Sequence, residues 1–247
     1  QPLRGFEEYY RTRGRTWERL ALLRARPVAG DRPLGVRFLG RVRPFLYGRP
    51  VDAAAVKEVR RLKEETDREV AKKGEMDRNV KLGTGGILEI EFLTQTFQLR
   101  FGRRRAGLRV RDTLGALDAL HHARLLAADD HGALRRAYVF LRDVENKLLM
   151  VADAQVHSLP ASPEEVRLCG LRLGYKDTKD LGAGEALLRD HRSHIEAVHR
   201  IFTSVFSGDG LERAEAAARR RREASCCEKC RPPRPTWRRP GGCRCEP

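Results

Sequence analysis

The residues best placed to do chemistry lie in one segment, Asn79-Val80-Lys81-Leu82-Gly83-Thr84-Gly85-Gly86-Ile87-Leu88-Glu89-Ile90-Glu91-Phe92. Gly83, Gly85 and Gly86 let backbone N–H groups approach a ligand closely, and a helix after them would aim its positive end there. Lys81 adds a full charge. The combination suits a phosphate or nucleotide, and a Gly-rich helix entry without a ligand has the same composition. It is not a Walker A loop, because no Lys-Ser/Thr follows the last glycine, and G-x-G-G lacks the dinucleotide spacing. Glu89 and Glu91 are candidate catalytic carboxylates that could bind Mg²⁺ or place a nucleophile. Two residues apart on a helix they face different ways, and carboxylates in a first turn also complement the helix dipole.

A second cluster runs from Gly14 to Arg26. Arg15, Arg19 and Arg26 recur at spacings of 4 and 7. On one continuous helix they share a face, which is either a guanidinium row for phosphates or a solvated face paired with Glu18. A third cluster is Cys227-x2-Cys230-x12-Cys243-x-Cys245 near the end of the chain. Four thiolates at such spacing can hold zinc, but the second pair is C-x-C and apolar neighbours are lacking, so no metal site is assigned. Cys169 reads as a small buried apolar residue. His191 reads as a core or groove residue on a helix seam, His194 as a surface residue, and His121-His122 as partners of a helix C-terminus.

The elements that must position these groups are almost all helical. Residues 6–26 suit one helix, and the Gly/Pro-rich stretch 27–50 reads as loop with short extended pieces. Asp52 can cap a helix carrying Val56, Val59, Leu62, Thr66 and Val70 inward. The polar stretch 72–84 precedes a helix over 87–101. Leu114, Leu117 and Leu120 mark another. Leu134, Tyr138, Leu141, Val144, Leu148 and Val151 mark the next. Ser162-Pro163-Glu164-Glu165 has the form of a capping box with Pro at the first helical position. Leu188, His191, Ile195, Val198, Phe202 and Val205 form a narrow seam on a long helix. Long amphipathic helices with short connections make a bundle, so the fold class is mainly α.

The 247 residues carry 50 Lys+Arg against 34 Asp+Glu, a formal charge of +16, with 40% hydrophobic residues. That apolar content supports a folded core. The charge points to an anionic partner or to a coding bias that writes Arg wherever a solvated cation will do, and its placement narrows the choice of anion. Residues 1–110 hold +12, residues 111–208 hold −1 and residues 209–247 hold +5. With 6% aromatic residues and no reader motif, nucleic acid is not the expected anion. No apolar run approaches the roughly 18–20 residues needed to cross a bilayer. Cysteines crowded into one end are not a secreted scaffold, so the expected location is cytoplasmic.

Together the first two clusters resemble glutamine synthetase adenylyltransferase. The resemblance rests on Tyr9-Tyr10, Gly14-Arg15-x-Trp17-Glu18-Arg19 with Ala25-Arg26, Arg43-Pro44-Phe45-x-Tyr47-x-Arg49 with Asp52, and the Asn79–Phe92 segment. It continues through Gln95, Gln98-Leu99, Ala137-Tyr138-x-Phe140-Leu141-Arg142, Glu145-Asn146 and His157-Ser158-Leu159-Pro160, and covers about residues 6–207. The forms Pro-Phe-x-Tyr and Lys-Leu-Gly-x-Gly-Gly look more like the family's adenylyl-removing half than its adenylylating half.

The resemblance implies the C-terminal part of a nucleotidyltransferase domain over 1–95. It further implies a helical bundle like that of PII uridylyltransferases over 96–208, and the composition a disordered Arg/Pro/Cys-rich tail over 209–247. It implies phosphorolytic removal of AMP from a tyrosine of glutamine synthetase, with Mg²⁺ and with ATP, ADP and phosphate as nucleotide and anion ligands. Implied partners are glutamine synthetase and a PII signalling protein. Arg15, Arg19, Arg26, Lys81, Gly83, Gly85 and Gly86 are the expected nucleotide or phosphate contacts. The family's metal-binding Gly-Ser-x-x-Asp-x-Asp motif does not occur in this sequence. The expectation is therefore a fragment, beginning in mid-helix, that is inactive alone. Leu88 also stands where the family has Arg. The alternative expectation is a non-enzymatic helical module that binds glutamine synthetase or PII.

Overall fold

The computed structural model describes residues 2–49, 51–152, 156–207 and 210–229. Ten α-helices follow one another among these residues: α1 Leu3–Thr12, α2 Thr16–Leu22, α3 Arg32–Gly48, α4 Ala53–Lys72, α5 Ile87–Phe101, α6 Thr113–His122, α7 Ala128–Ala152, α8 Pro163–Arg172, α9 Ala183–Phe206 and α10 Gly210–Lys229. The sole β-type pairing among them is a single antiparallel bridge between Asn79 and Ser158.

Helix α5 is the axis of the fold. Ile87, Ile90, Leu93, Phe97, Leu99 and Phe101 are all buried, on every side of the helix. An apolar surface all round requires neighbours all round, and α2, α3, α4, α6, α7 and α9 supply them. The polar side chains of α5 are matched internally. The Gln98 side-chain amide donates to Leu108 O at 2.8 Å and Val110 O at 2.6 Å, which fixes the loop before α6. Because residues 87–101 form one helix, a boundary between 95 and 96 falls inside it.

Helices α4 to α9 follow the sequence periods, except that the seam of α9 starts at the buried Leu187, with Leu188 exposed. Asp52 and Asp112 accept from Ala55 N and Gly115 N as N-caps. At α8 the start at Pro163 is as expected, but Ser162 makes no side-chain cap. Helices α8 and α9 meet at glycines: a Cβ on Gly170 would sit 2.5 Å from Ala183 O, and one on Gly184 3.0 Å from the Arg167 backbone. Only hydrogen there permits the close approach.

Three expectations are corrected. Residues 6–26 are two helices, broken at 13–15, where a Cβ on Gly14 would lie 2.4 Å from the Phe45 ring. The stretch 27–50 is mostly helix, not loop. Asp31 caps α3 by accepting from Leu34 N at 2.9 Å, and Pro33 sits in the first turn, where proline is tolerated. Burial of Val42, Phe45, Leu46 and Tyr47 then overrides the low propensity of its glycines and of the internal Pro44. The expected disordered tail from 209 begins instead with α10, whose Leu211 is buried and whose Ala214 packs on the core. The remainder of that tail, 230–247, lies outside the described residues.

Candidate functional site

The Gly-containing loop between α4 and α5 is organised by Asn79. Its Oδ1 accepts from Lys81 N and Leu82 N, and its Nδ2 donates to Ser158 Oγ at 3.1 Å. Val80 N donates to His157 O and Leu159 N to Arg78 O, each at 2.9 Å. The loop is thus laced to the segment before α8. Gly83 and Gly86 lie against loop carbonyls, 2.3 and 2.8 Å from a built Cβ. Gly85 has φ +68°, and its Cβ would lie 2.0 Å from Ile195 O on α9. The first amides of α5 are taken up as well: Ile87 N by Val80 O, Leu88 N by Lys81 O and Glu89 N by Gly86 O. In place of an open phosphate cradle, the three glycines form a buried joint between this loop and α9.

The two candidate carboxylates do face different ways. Glu89 is 2% exposed, with Oε1 3.3 Å from Lys63 Nζ and both oxygens 3.2 Å from His199 Nδ1. Lys63, itself buried, also pairs with Asp67 and donates to Leu82 O. Glu91 lies 3.2 Å from Arg24 and accepts weakly from Tyr138 Oη at 3.5 Å. Each carboxylate is held by its own cation, on opposite sides of α5.

The arginine row does not exist as a row. Arg15 is exposed at the start of α2 and Arg26 is exposed beyond its end, while Arg19 is buried. Arg19 donates to Leu46 O through Nε at 3.2 Å and Nη2 at 2.7 Å, and to Arg49 O at 2.8 Å. It closes the C-terminal carbonyls of α3, where a cation also complements the dipole. Burial, followed by the nearby Arg49, lowers its pKa from the usual value.

Lys81, the cation of the glycine segment, keeps access to solvent, with its side chain 40% exposed. Its Nζ lies 3.3 Å from Glu145 Oε1, and Arg142 Nη1 donates to Oε2 of the same buried carboxylate at 2.6 Å. His157 Nδ1 is 3.2 Å from Oε1 but outside hydrogen-bond alignment. Burial, then the charge of Lys81, lowers the His157 pKa. One carboxylate thus stands among three basic groups, from the loop, α7 and the 156–160 segment.

A cavity of about 850 Å³ opens beside this joint, between α8, α9 and the loop. Asp77, Arg78, Thr84, Leu188, His191 and Ile195 are among its walls. His191 is the buried seam residue expected from the sequence, and its Nε2 has no hydrogen-bond partner. Burial, then His194, pushes its pKa down to about 4. His194 is half-buried against Phe140 (ring centroids 4.6 Å apart), not a surface group.

Lys63 and His199 are the site residues that the sequence reading missed, although both had a signal. Lys63 falls on the apolar stripe of α4, four residues after Val59, and His199 falls between Ile195 and Phe202 on the seam of α9. No group of three His, Cys, Asp or Glu side chains among the described residues is arranged to hold a metal. With Glu89 and Glu91 each engaged by a cation, the carboxylates present do not fit the expected Mg²⁺. The Cys227 side chain, and all of Cys230, Cys243 and Cys245, lie outside the described residues.

Comparison with known proteins places these features. The family model described as GlnD PII-uridylyltransferase matches residues 57–206, from within α4 to the end of α9. One described as glutamate-ammonia ligase adenylyltransferase matches residues 1–41. Among curated relatives, a Stenotrophomonas maltophilia protein is 45% identical over 180 residues, covering 73% of this chain and 19% of the relative. A Bradyrhizobium diazoefficiens protein is 42% identical over 206 residues, covering 81% and 20%. Both are named bifunctional glutamine synthetase adenylyltransferase/adenylyl-removing enzyme. The chain spans about a fifth of the length of these relatives.

Proposed function

Since the chain belongs to the GlnD PII-uridylyltransferase family and is similar to the bifunctional glutamine synthetase adenylyltransferase/adenylyl-removing enzymes, we propose that it is part of an enzyme removing AMP from glutamine synthetase. In that reaction a phosphate oxygen attacks the phosphorus of the AMP–tyrosine bond. The bond to the tyrosine oxygen breaks, ADP leaves and the tyrosine hydroxyl is restored. Mg²⁺ would neutralise charge on the transferred group, on carboxylates outside this sequence.

The observation that carries the reading is the similarity to relatives named for adenylylation and adenylyl removal, 45% identical over 180 residues in the S. maltophilia protein. The part assigned to this chain is that of scaffold and anion-attracting surround. The glycine joint fixes the loop on α9, and Lys81 and Arg142, each about two-fifths exposed, offer cations to phosphate or nucleotide. Alone the chain is inactive, for want of metal carboxylates. Glutamine synthetase is the proposed partner in the cytoplasm, with a PII protein as a regulator.

A chimera tests this: the matching 180 residues of the S. maltophilia enzyme are replaced by this chain's. ADP release from adenylylated glutamine synthetase with phosphate, and AMP transfer from ATP, are then both measured. The expected result is retained ADP release, and a rise in KM for phosphate with Lys81→Gln. A chimera that folds and transfers AMP but releases no ADP refutes the reading.

A further inference from the structure

At the other end of α5, five arginines converge. Arg49 follows α3, Arg100 lies in the last turn of α5, and Arg103, Arg104 and Arg105 occupy the turn beyond it. They line a hollow of about 440 Å³, within the usual range of small-ligand sites, and Glu215 of α10 is its one acidic wall residue. Arg100 pairs with Glu215 at 3.2 Å. Arg49, Arg103 and Arg104 have no carboxylate partner among the described residues.

These charges are held together by backbone contacts that do not neutralise them. Arg49 donates to Arg11 O at 2.5 Å, Arg100 to Val51 O at 2.7 Å and Arg103 to Gly48 O at 3.4 Å. Arg109 ties the turn by donating to Gly102 O at 2.8 Å and Arg103 O at 3.2 Å, with its guanidinium 4.8 Å from the Tyr47 ring centre. Arg100 Nε is buried without a hydrogen-bond partner. The C-terminal carbonyls of α3 and α5 offset part of the repulsion. They do not account for three unpaired guanidiniums facing one hollow.

We infer that this hollow is an anion site for an oligophosphate, a pyrophosphate group either free or carried by a nucleoside diphosphate. Guanidinium forks match phosphate oxygens two at a time, and several uncompensated cations around one hollow favour a multiply charged group over a single phosphate. Because Arg109 and the carbonyl contacts fix the turn beforehand, little ordering is required on binding. The site lies the length of α5 from the glycine joint, roughly 22 Å for fifteen residues at 1.5 Å each. It is therefore separate from the loop that carries Lys81. Glu215 competes for Arg100, which gives a variant of opposite sign.

Calorimetric titration of the full chain with phosphate, pyrophosphate and ADP at physiological salt tests the assignment. Pyrophosphate and ADP should saturate one site, with phosphate at least about tenfold weaker, or about 1.4 kcal/mol. Arg104→Glu, at an exposed position, should weaken pyrophosphate binding at least tenfold, and Glu215→Gln should tighten it several-fold. Arg103→Gln with Arg104→Gln, checked by thermal melting, gives the same reading if the charge reversal does not fold. Equal pyrophosphate and ADP affinity identifies the phosphates as the whole determinant, and tighter ADP adds a nucleoside contribution. ADP binding without pyrophosphate binding overturns the assignment. So does the absence of saturable heat up to about 5 mM, or an affinity unchanged in Arg104→Glu.

Discussion

Acidification should destabilise this fold through His191. Burial among α8, α9 and the loop holds its pKa down to about 4 against an ordinary 6.5, with His194 adding to the depression and Asp77 opposing it. The unfolded chain takes up a proton as pH falls through 6.5, whereas the folded chain does not until about 4. Stability is therefore full above 6.5, falls between 6.5 and 4, and levels off below. With these values the loss at pH 5 is about 2 kcal/mol, approaching about 3 kcal/mol below pH 4. For a chain of this size, 2 kcal/mol corresponds to about 4–8 °C in Tm. Other groups titrate over the same range, so the assay is a comparison. Urea unfolding of the native chain and of His191→Leu is followed at pH 8 and pH 5. The leucine variant also removes the unpartnered Nε2 and should lose about 2 kcal/mol less than the native chain between the two. A difference between the two proteins that stays constant within about 0.5 kcal/mol across that range would refute the argument, because a histidine free to protonate in the fold contributes no such slope.

Other substitutions test the packing of the site. Gly85→Ala combines a positive φ with a Cβ 2.0 Å from Ile195 O, and should cost at least about 3 kcal/mol in urea unfolding. Lys63→Met leaves Glu89 buried with His199 as its remaining partner, and should cost about 3–5 kcal/mol. Adding Glu89→Leu should recover most of that loss, measured as a double-mutant cycle. Arg19→Met strands the carbonyls of Leu46 and Arg49 that its guanidinium serves. A loss of about 2–3 kcal/mol is expected by chemical denaturation, with Arg19→Lys intermediate because it lacks the fork.

Much of the helical framework was legible because its cause is local. A 3.6-residue apolar period and capping side chains such as Asp52 and Asp112 are properties of a short stretch, and α4 to α9 follow them. Helix α3 was not legible, since Gly35, Gly40, Pro44 and Gly48 argue against a helix that burial of Phe45 and Leu46 against other segments stabilises. The same divide runs through the site. Sequence alone determined that glycines, a lysine and two carboxylates of opposite facing would gather around the entry to α5. Tertiary structure decided what each one does. Gly85 meets Ile195, Glu89 meets Lys63 and His199, and Arg19 meets carbonyls 27 and 30 residues away. An anion-binding group and a structural ion pair look alike in sequence, because a side chain's partner, and with it the charge left to offer a ligand, is set only when distant segments pack.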